Sequence, residues 1–170
     1  GIGQEKTCII TNSDIDHLPE IQVTKSANKQ IIDETGEFVV FTFKIDNNSL
    51  EPVTVTELTD SVFGVLSGES GCQIGTQIPA GGSCSFDLER KISGDYGNEH
   101  TNIFSAKVVD NEGNEDLDTD DYVISFKDVR PNIYVIKTAN IPSVPETGGD
   151  VTFSYMVVNR GSEAVSIDSM

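Results

Sequence analysis

Sliding the chain along itself by 112 residues superimposes residues 21–58 on residues 133–170 without a gap. The matched positions include Ile21/Ile133, Val23/Val135, Lys25/Lys137, Ala27/Ala139 and Asn28/Asn140. They continue with Glu34/Glu146, Thr35/Thr147, Gly36/Gly148, Val39/Val151, Phe41/Phe153, Asn47/Asn159 and Val53/Val165. Chance would supply about two identities over such a stretch, so the match marks an internal duplication. The same offset pairs Asp16 with Asp128 and Pro19 with Pro131, which sets the boundary of the duplicated unit at an Asp-x-x-Pro step. One complete unit is expected over residues 20–130. Residues 1–19 are then the end of an upstream segment, and residues 131–170 the opening third of a second unit.

Within the unit the apolar residues alternate with period two, and no stretch sustains a helical period over three turns. Residues 39–47 show it best: Val39, Phe41, Phe43 and Ile45 fall on one face and Val40, Thr42, Lys44 and Asp46 on the other. Further strands are expected over residues 21–26, 53–58, 62–66, 83–88, 102–109 and 122–126, separated by turns bearing Gly, Asn and Pro. Seven or so short strands in a unit of this size predict an all-β, immunoglobulin-like β-sandwich, repeated in tandem. Asp110-Asn-Glu-Gly-Asn114 is expected to be a hairpin loop, with Gly113 suited to positive φ.

Charge narrows the partners. The chain carries 28 Asp and Glu against 11 Lys and Arg, a net charge of −17. Nucleic-acid binding needs a phosphate-neutralising basic stripe, and anionic lipid makes the same demand, so neither partner is expected. No apolar run approaches the roughly 20 residues of a membrane span, and direct membrane insertion is not expected either.

Cys72 and Cys84 flank Pro79-Ala-Gly-Gly82, a turn that brings the two thiols together. A disulfide is expected there, in an oxidising compartment. Cys8 has no counterpart, because Asp120 occupies its matching position. Enzyme templates fail: His17 and His100 have no second ligand at metal spacing, there is no Gly-x-Ser-x-Gly elbow, and Ser26-Ala-Asn-Lys29 leaves a strand rather than opening a helix. Residues 110–121 hold seven acids and no base. Asp110, Glu112, Asp116, Asp118, Asp120 and Asp121 offer the hard oxygen ligands that calcium takes, against the alternative of a solvated acidic hairpin. Asp16 and Asp128, near Glu34 and Glu146, leave room for a calcium ion at the unit boundaries.

Strand phase isolates one more constellation. Ile21, Val23 and Lys25 share a face, so a lysine points where the apolar residues point, and Asn102 shares a face with Phe104, Ala106 and Val108. Burial lowers the pKa of a lysine and turns it into a nucleophile. If a protonated carboxyl polarises the Asn amide, the amine attacks the side-chain carbonyl and expels ammonia, leaving an isopeptide bond. Two acids compete for that part: Glu57, in phase with Val53 and Val55, and Asp60, which follows Leu58. The alternative is a lysine stem that snorkels to the rim.

Ile-x-Val-x-Lys-[Ser/Thr]-Ala-Asn, Glu-Thr-Gly, Phe-Thr-Phe-x-Ile-x-Asn, Leu-Thr-Asp-Ser-Val-Phe-Gly, Ile-Pro-Ala-Gly-Gly-Ser-Cys and His-Thr-Asn together resemble the conserved-repeat immunoglobulin-like domains of bacterial and archaeal secreted and surface proteins. The resemblance covers nearly all of residues 20–170. It implies extracellular stalks or adhesins rather than enzymes, with Lys25 and Asn102 joined and Asp60 as the acid. The expected function is a non-enzymatic cell-surface spacer or adhesive module whose partners are neighbouring repeats of the same chain. Two other readings stand beside it: a self-assembling filament subunit completed by strand donation from a neighbour, and a calcium-dependent module binding a ligand such as carbohydrate.

Overall fold

A computed structural model describes residues 17–69 and 71–169, together with Gly3 and Ile9. Cys8 and Asp16 lie outside the described residues. The fold is all-β. The strands are β1 (Ile21–Ala27), β2 (Ile31–Asp33), β3 (Glu37–Asn47), β4 (Val53–Asp60), β5 (Gly64–Val65), β6 (Gly68–Glu69), β7 (Cys72–Gln73) and β8 (Gln77–Ile78). After them come β9 (Ser83–Ile92), β10 (Glu99–Val109), β11 (Glu115–Lys127), β12 (Ile133–Ala139) and β13 (Phe153–Asn159). A three-stranded sheet runs β1-β3-β9 and a larger one β2-β11-β10-β4-β5, with β8 on β4. Separate two-stranded sheets form from β12-β13 and from β6-β7.

By contacts the chain divides into two compact units, Gly1–Ser26 with Phe41–Leu88 and Asn102–Tyr122, and Ala27–Val40 with Glu89–Thr101 and Val123–Met170. In the first, period-two alternation does the building. Ile21 and Val23 of β1, Phe41, Phe43 and Ile45 of β3, Val53, Val55 and Leu58 of β4, and Phe104, Ala106 and Val108 of β10 are all buried. Phe43 stacks on Phe86 of β9 at 4.9 Å between ring centres and meets Phe104 of β10 edge-on at 4.8 Å. The three-stranded sheet thus buries its face against the larger one. Fully burying side chains of this size contributes about 1.5–3 kcal/mol each. In the second unit Ile32, Val39, Ile92, Ile124 and Phe126 are buried.

Cys72 and Cys84 form the expected disulfide, with Cα atoms 5.2 Å apart. Closing a loop of 12 residues' separation stabilises by about 3 kcal/mol through the unfolded chain. The hairpin also forms: Asp110 N–H donates to Asn114 O at 3.0 Å, and Gly113 has φ of +96°. Two strands differ from expectation. Only Gly64–Val65 of residues 62–66 is strand, because Val62 and Phe63 lie in a turn whose N–H groups donate to Asp60 Oδ1 at 2.9 Å. β11 begins at Glu115 rather than at residue 122, so most of the acidic run is strand.

Candidate functional site

Lys25 on β1, Asp60 at the end of β4 and Asn102 on β10 meet in the core of the first unit. Each lies on the inward phase of its strand, and each is at most 5% exposed. Lys25 Nζ is 2.5 Å from Asp60 Oδ2, with both side chains wholly buried, and donates a second hydrogen bond to the backbone O of Asn102 at 3.1 Å. Phe41, Phe43 and Phe63 surround the ammonium, with ring centres 5.5, 5.4 and 5.6 Å away. Asn102 Nδ2 spans both Asp60 oxygens at 3.3 and 3.2 Å, while its buried Oδ1 has no hydrogen-bond partner. Nearly every buried amide oxygen finds a donor, so this one stands out.

Burial pushes the Lys25 pKa below its ordinary value, and the hydrogen bond and charge of Asp60 only partly oppose it. For Asp60, burial works upward. The Lys25 ammonium and the N–H groups of Phe63 and Val62 outweigh it and hold the carboxyl below its ordinary range. A proton passed from Nζ to Oδ2 leaves a neutral amine and a carboxylic acid, at no net change of charge. A half-turn of the Asn102 amide then offers Oδ1 to the new acid, so the acid polarises the carbonyl beside the amine.

Glu57, the competing acid, is exposed and stands opposite Lys107. The correction lies in a β-bulge. Lys107 faces Glu57 but Val108 faces Val55, so Thr56 is an extra residue and strand phase inverts beyond it. Val53 and Val55 point inward before the bulge, and Leu58 and Asp60 after it.

The acidic run does work the sequence reading missed. Backbone N–H groups of Ile21, Val23 and Lys25 donate to Asp116, Asp118 and Asp120 Oδ2 at 2.7, 2.8 and 2.8 Å. Two extended strands share a period of two, so three successive inward-stepping carboxylates on β11 match three successive N–H groups on β1. The signal was the alternation of Asp at 116, 118 and 120. These carboxylates protect the β1 edge that does not pair with β3. Asp110 instead closes the hairpin: its Oδ1 accepts from the N–H groups of Glu112, Gly113 and Asn114, and its Oδ2 from Asn114 Nδ2. Burial would raise its carboxyl, but these bonds hold it below the ordinary value. Glu112 and Asp121 are exposed. Among the described residues no group of three or more His, Cys, Asp or Glu side chains converges to hold a metal ion. Removing one rung, Asp118→Ala, is expected to cost about 1–2 kcal/mol and to speed hydrogen exchange chiefly at the Val23 amide.

At the boundary of the repeat Glu34 accepts from the N–H of Val129 at 2.6 Å and of Tyr96 at 3.0 Å, and these bonds depress its pKa. It therefore ties the Asp128–Val129 step directly. No protein-family model matches the chain, and no curated protein matches it.

Proposed function

We propose that this chain is a non-enzymatic structural module of an extracellular surface protein, a stalk or adhesive spacer of tandem immunoglobulin-like sandwiches, covalently stiffened by a Lys25–Asn102 isopeptide bond. The buried Lys25–Asp60–Asn102 cluster carries the reading. A cluster that costly to desolvate is out of place in a passive spacer unless it does chemistry. Nζ attacks Asn102 Cγ, the N–C bond forms, the bond to Nδ2 breaks, and Nδ2 leaves as ammonia with the proton that Asp60 relays. The bond would span 77 residues and tie β1 to β10 across the two sheets. Strands pulled apart by a load along the chain are then held by a covalent link as well as by hydrogen bonds.

The strand order supports the immunoglobulin-like part of the reading. β1-β3-β9 matches the A, B and E strands of that fold, and β11-β10-β4 the G, F and C strands. β2 pairs parallel to the far half of β11, so the first edge of the unit is shared between both sheets. The disulfide and the acid surplus suit an exported, soluble, repetitive protein.

Intact mass under denaturing, non-reducing conditions tests the reading. The expected mass lies below the sequence mass by one ammonia, about 17 Da, besides the two hydrogens of the disulfide. Lys25→Ala and Asn102→Ala should each restore the ammonia. A wild-type chain that is short of the two hydrogens alone would sink the proposal.

A further inference from the structure

The peptide unit between Asn102 and Ile103 is gripped from both sides. Its carbonyl, the backbone O of Asn102, accepts from Lys25 Nζ at 3.1 Å, and its N–H, that of Ile103, donates to Ser61 Oγ at 2.9 Å. Ser61 N–H in turn donates to Ile103 O at 2.9 Å. Strand pairing explains the exchange. β4 and β10 keep register as far as Asp60 opposite Phe104, so the next step sets Ser61 opposite Ile103. A regular antiparallel ladder closes such a step with two backbone bonds. Here the chain enters a turn at Ser61, and the hydroxyl accepts the bond that the Ser61 carbonyl would take in a continuing strand. The same turn holds the acid. The N–H groups of Val62 and Phe63 each donate to Asp60 Oδ1 at 2.9 Å, which leaves Oδ2 toward Nζ. Residues 60–63 therefore fix the carboxyl through backbone N–H groups and the Asn102–Ile103 peptide through one hydroxyl.

We propose that Ser61 is a positioning residue for the Lys25–Asn102 reaction: its hydroxyl, acting through the Asn102–Ile103 peptide, holds the amine beside the residue it attacks. This rests on the Lys25–Asn102 reading. Once the ammonium has passed a proton to Asp60, the neutral amine keeps its hydrogen bond to Asn102 O, and that bond tethers Nζ to the residue whose Cγ is the target. An attacking atom held in this way has little freedom left to lose before it reacts. The tether is as steady as the peptide unit that carries it, and Ser61 steadies that unit from its other end. Donation from Ile103 N–H to Oγ also polarises the peptide and strengthens the bond at its carbonyl. Ser61 itself exchanges no proton with the reacting groups. The Nζ–Cγ bond forms, the Cγ–Nδ2 bond breaks and ammonia leaves with the proton relayed by Asp60.

Ser61→Ala removes only the hydroxyl. It keeps the Ser61 N–H bond to Ile103 O and, because the side chain is exposed, opens no cavity. Unfolded, reduced full-length chain of unreacted mass is diluted into folding buffer as wild type, Ser61→Ala and Ser61→Thr, and the ammonia deficit is timed by mass spectrometry. Ser61→Ala is expected to close the bond roughly two- to tenfold more slowly, the rate equivalent of one net hydrogen bond, while Ser61→Thr, which keeps the hydroxyl, closes near the wild-type rate. Stability is read apart from rate by adding Ser61→Ala to Asn102→Ala, which cannot close. That double variant should be folded in the same buffer by circular dichroism, so that slower closure reflects the site rather than a smaller folded fraction. Ser61→Ala closing at the wild-type rate overturns the inference, and so does Ser61→Thr closing as slowly as Ser61→Ala. A rate loss no larger than the loss of folded double variant overturns it too, since Ser61 would then serve the fold alone. A wild-type chain that never loses ammonia overturns the Lys25–Asn102 reading itself.

Discussion

Lys25→Met is expected to be the most destabilising single substitution in the first unit, and its cost separates into two parts. The first is the proposed cross-link. By the loop-closure arithmetic used for disulfides, a bond across 77 residues restricts the unfolded chain by roughly 4.5 kcal/mol. The second is electrostatic: in the cross-linked chain Nζ is a neutral amide N–H beside Asp60, whereas Lys25→Met leaves the fully buried Asp60 with no donor from residue 25, and a buried charge stripped of its partner typically costs about 3–5 kcal/mol. Together they approach the whole stability of an ordinary domain, about 5–15 kcal/mol. Two further variants divide the parts. Asn102→Ala prevents the bond and leaves Lys25 as an ammonium paired with Asp60, so it should fall near the first figure alone. Lys25→Met with Asp60→Asn removes both charges, yet keeps a side-chain oxygen for the Val62 and Phe63 N–H groups, so it should recover most of the second. Denaturant unfolding of the three proteins under non-reducing conditions checks this. If Lys25→Met and Asn102→Ala unfold at the same midpoint, the buried charge carries no separate cost.

The strands and the cluster differ in how far they could be read from sequence. Period-two alternation in residues 39–47 places Val39, Phe41, Phe43 and Ile45 inward, and the structure buries all four. The same rule places Lys25 and Asn102 correctly, because β1 and β10 keep their phase through those residues. It fails on β4, where the bulge at Thr56 inverts the phase and carries Glu57 outward. A bulge is a property of two strands in register, and a single strand's sequence marks it only weakly, here by the step from Val55 to Leu58. The role of the acidic run stays hidden in the sequence for a related reason. Composition suggested shared ligands for one ion, but alternate Asp residues on an extended strand point along a line and meet a row of N–H groups instead. That partner lies 95 residues away, beyond the reach of local pattern.

Asp60→Ala is expected to slow formation of the Lys25–Asn102 bond by roughly 10²–10⁴-fold, the range for losing a positioned acid. The reacting form pairs a neutral Lys25 amine with a protonated Asp60. It holds the same single shared proton as the ion pair, so its share of the population does not change with pH while the pair keeps that one proton. Asp60 has its carboxyl depressed below 3.8, and only below that depressed value does the pair take up a second proton and tie the amine up as ammonium. Lys25 has its pKa lowered from 10.5, and above that lowered value the shared proton is lost and Asp60 can no longer act as an acid. The rate should therefore run flat between the two and fall on each side. The alkaline fall should begin below the ordinary lysine range. Chain recovered unfolded and reduced, with its full mass verified, is diluted into buffers of rising pH, and the ammonia deficit is followed by mass spectrometry while circular dichroism confirms the strands. Glu57→Gln should leave the rate unchanged, since that side chain faces solvent. An Asp60→Ala chain that folds and closes the bond at the wild-type rate would remove the acid from the mechanism. A rate climbing steadily with pH would mean that amine deprotonation alone sets the pace.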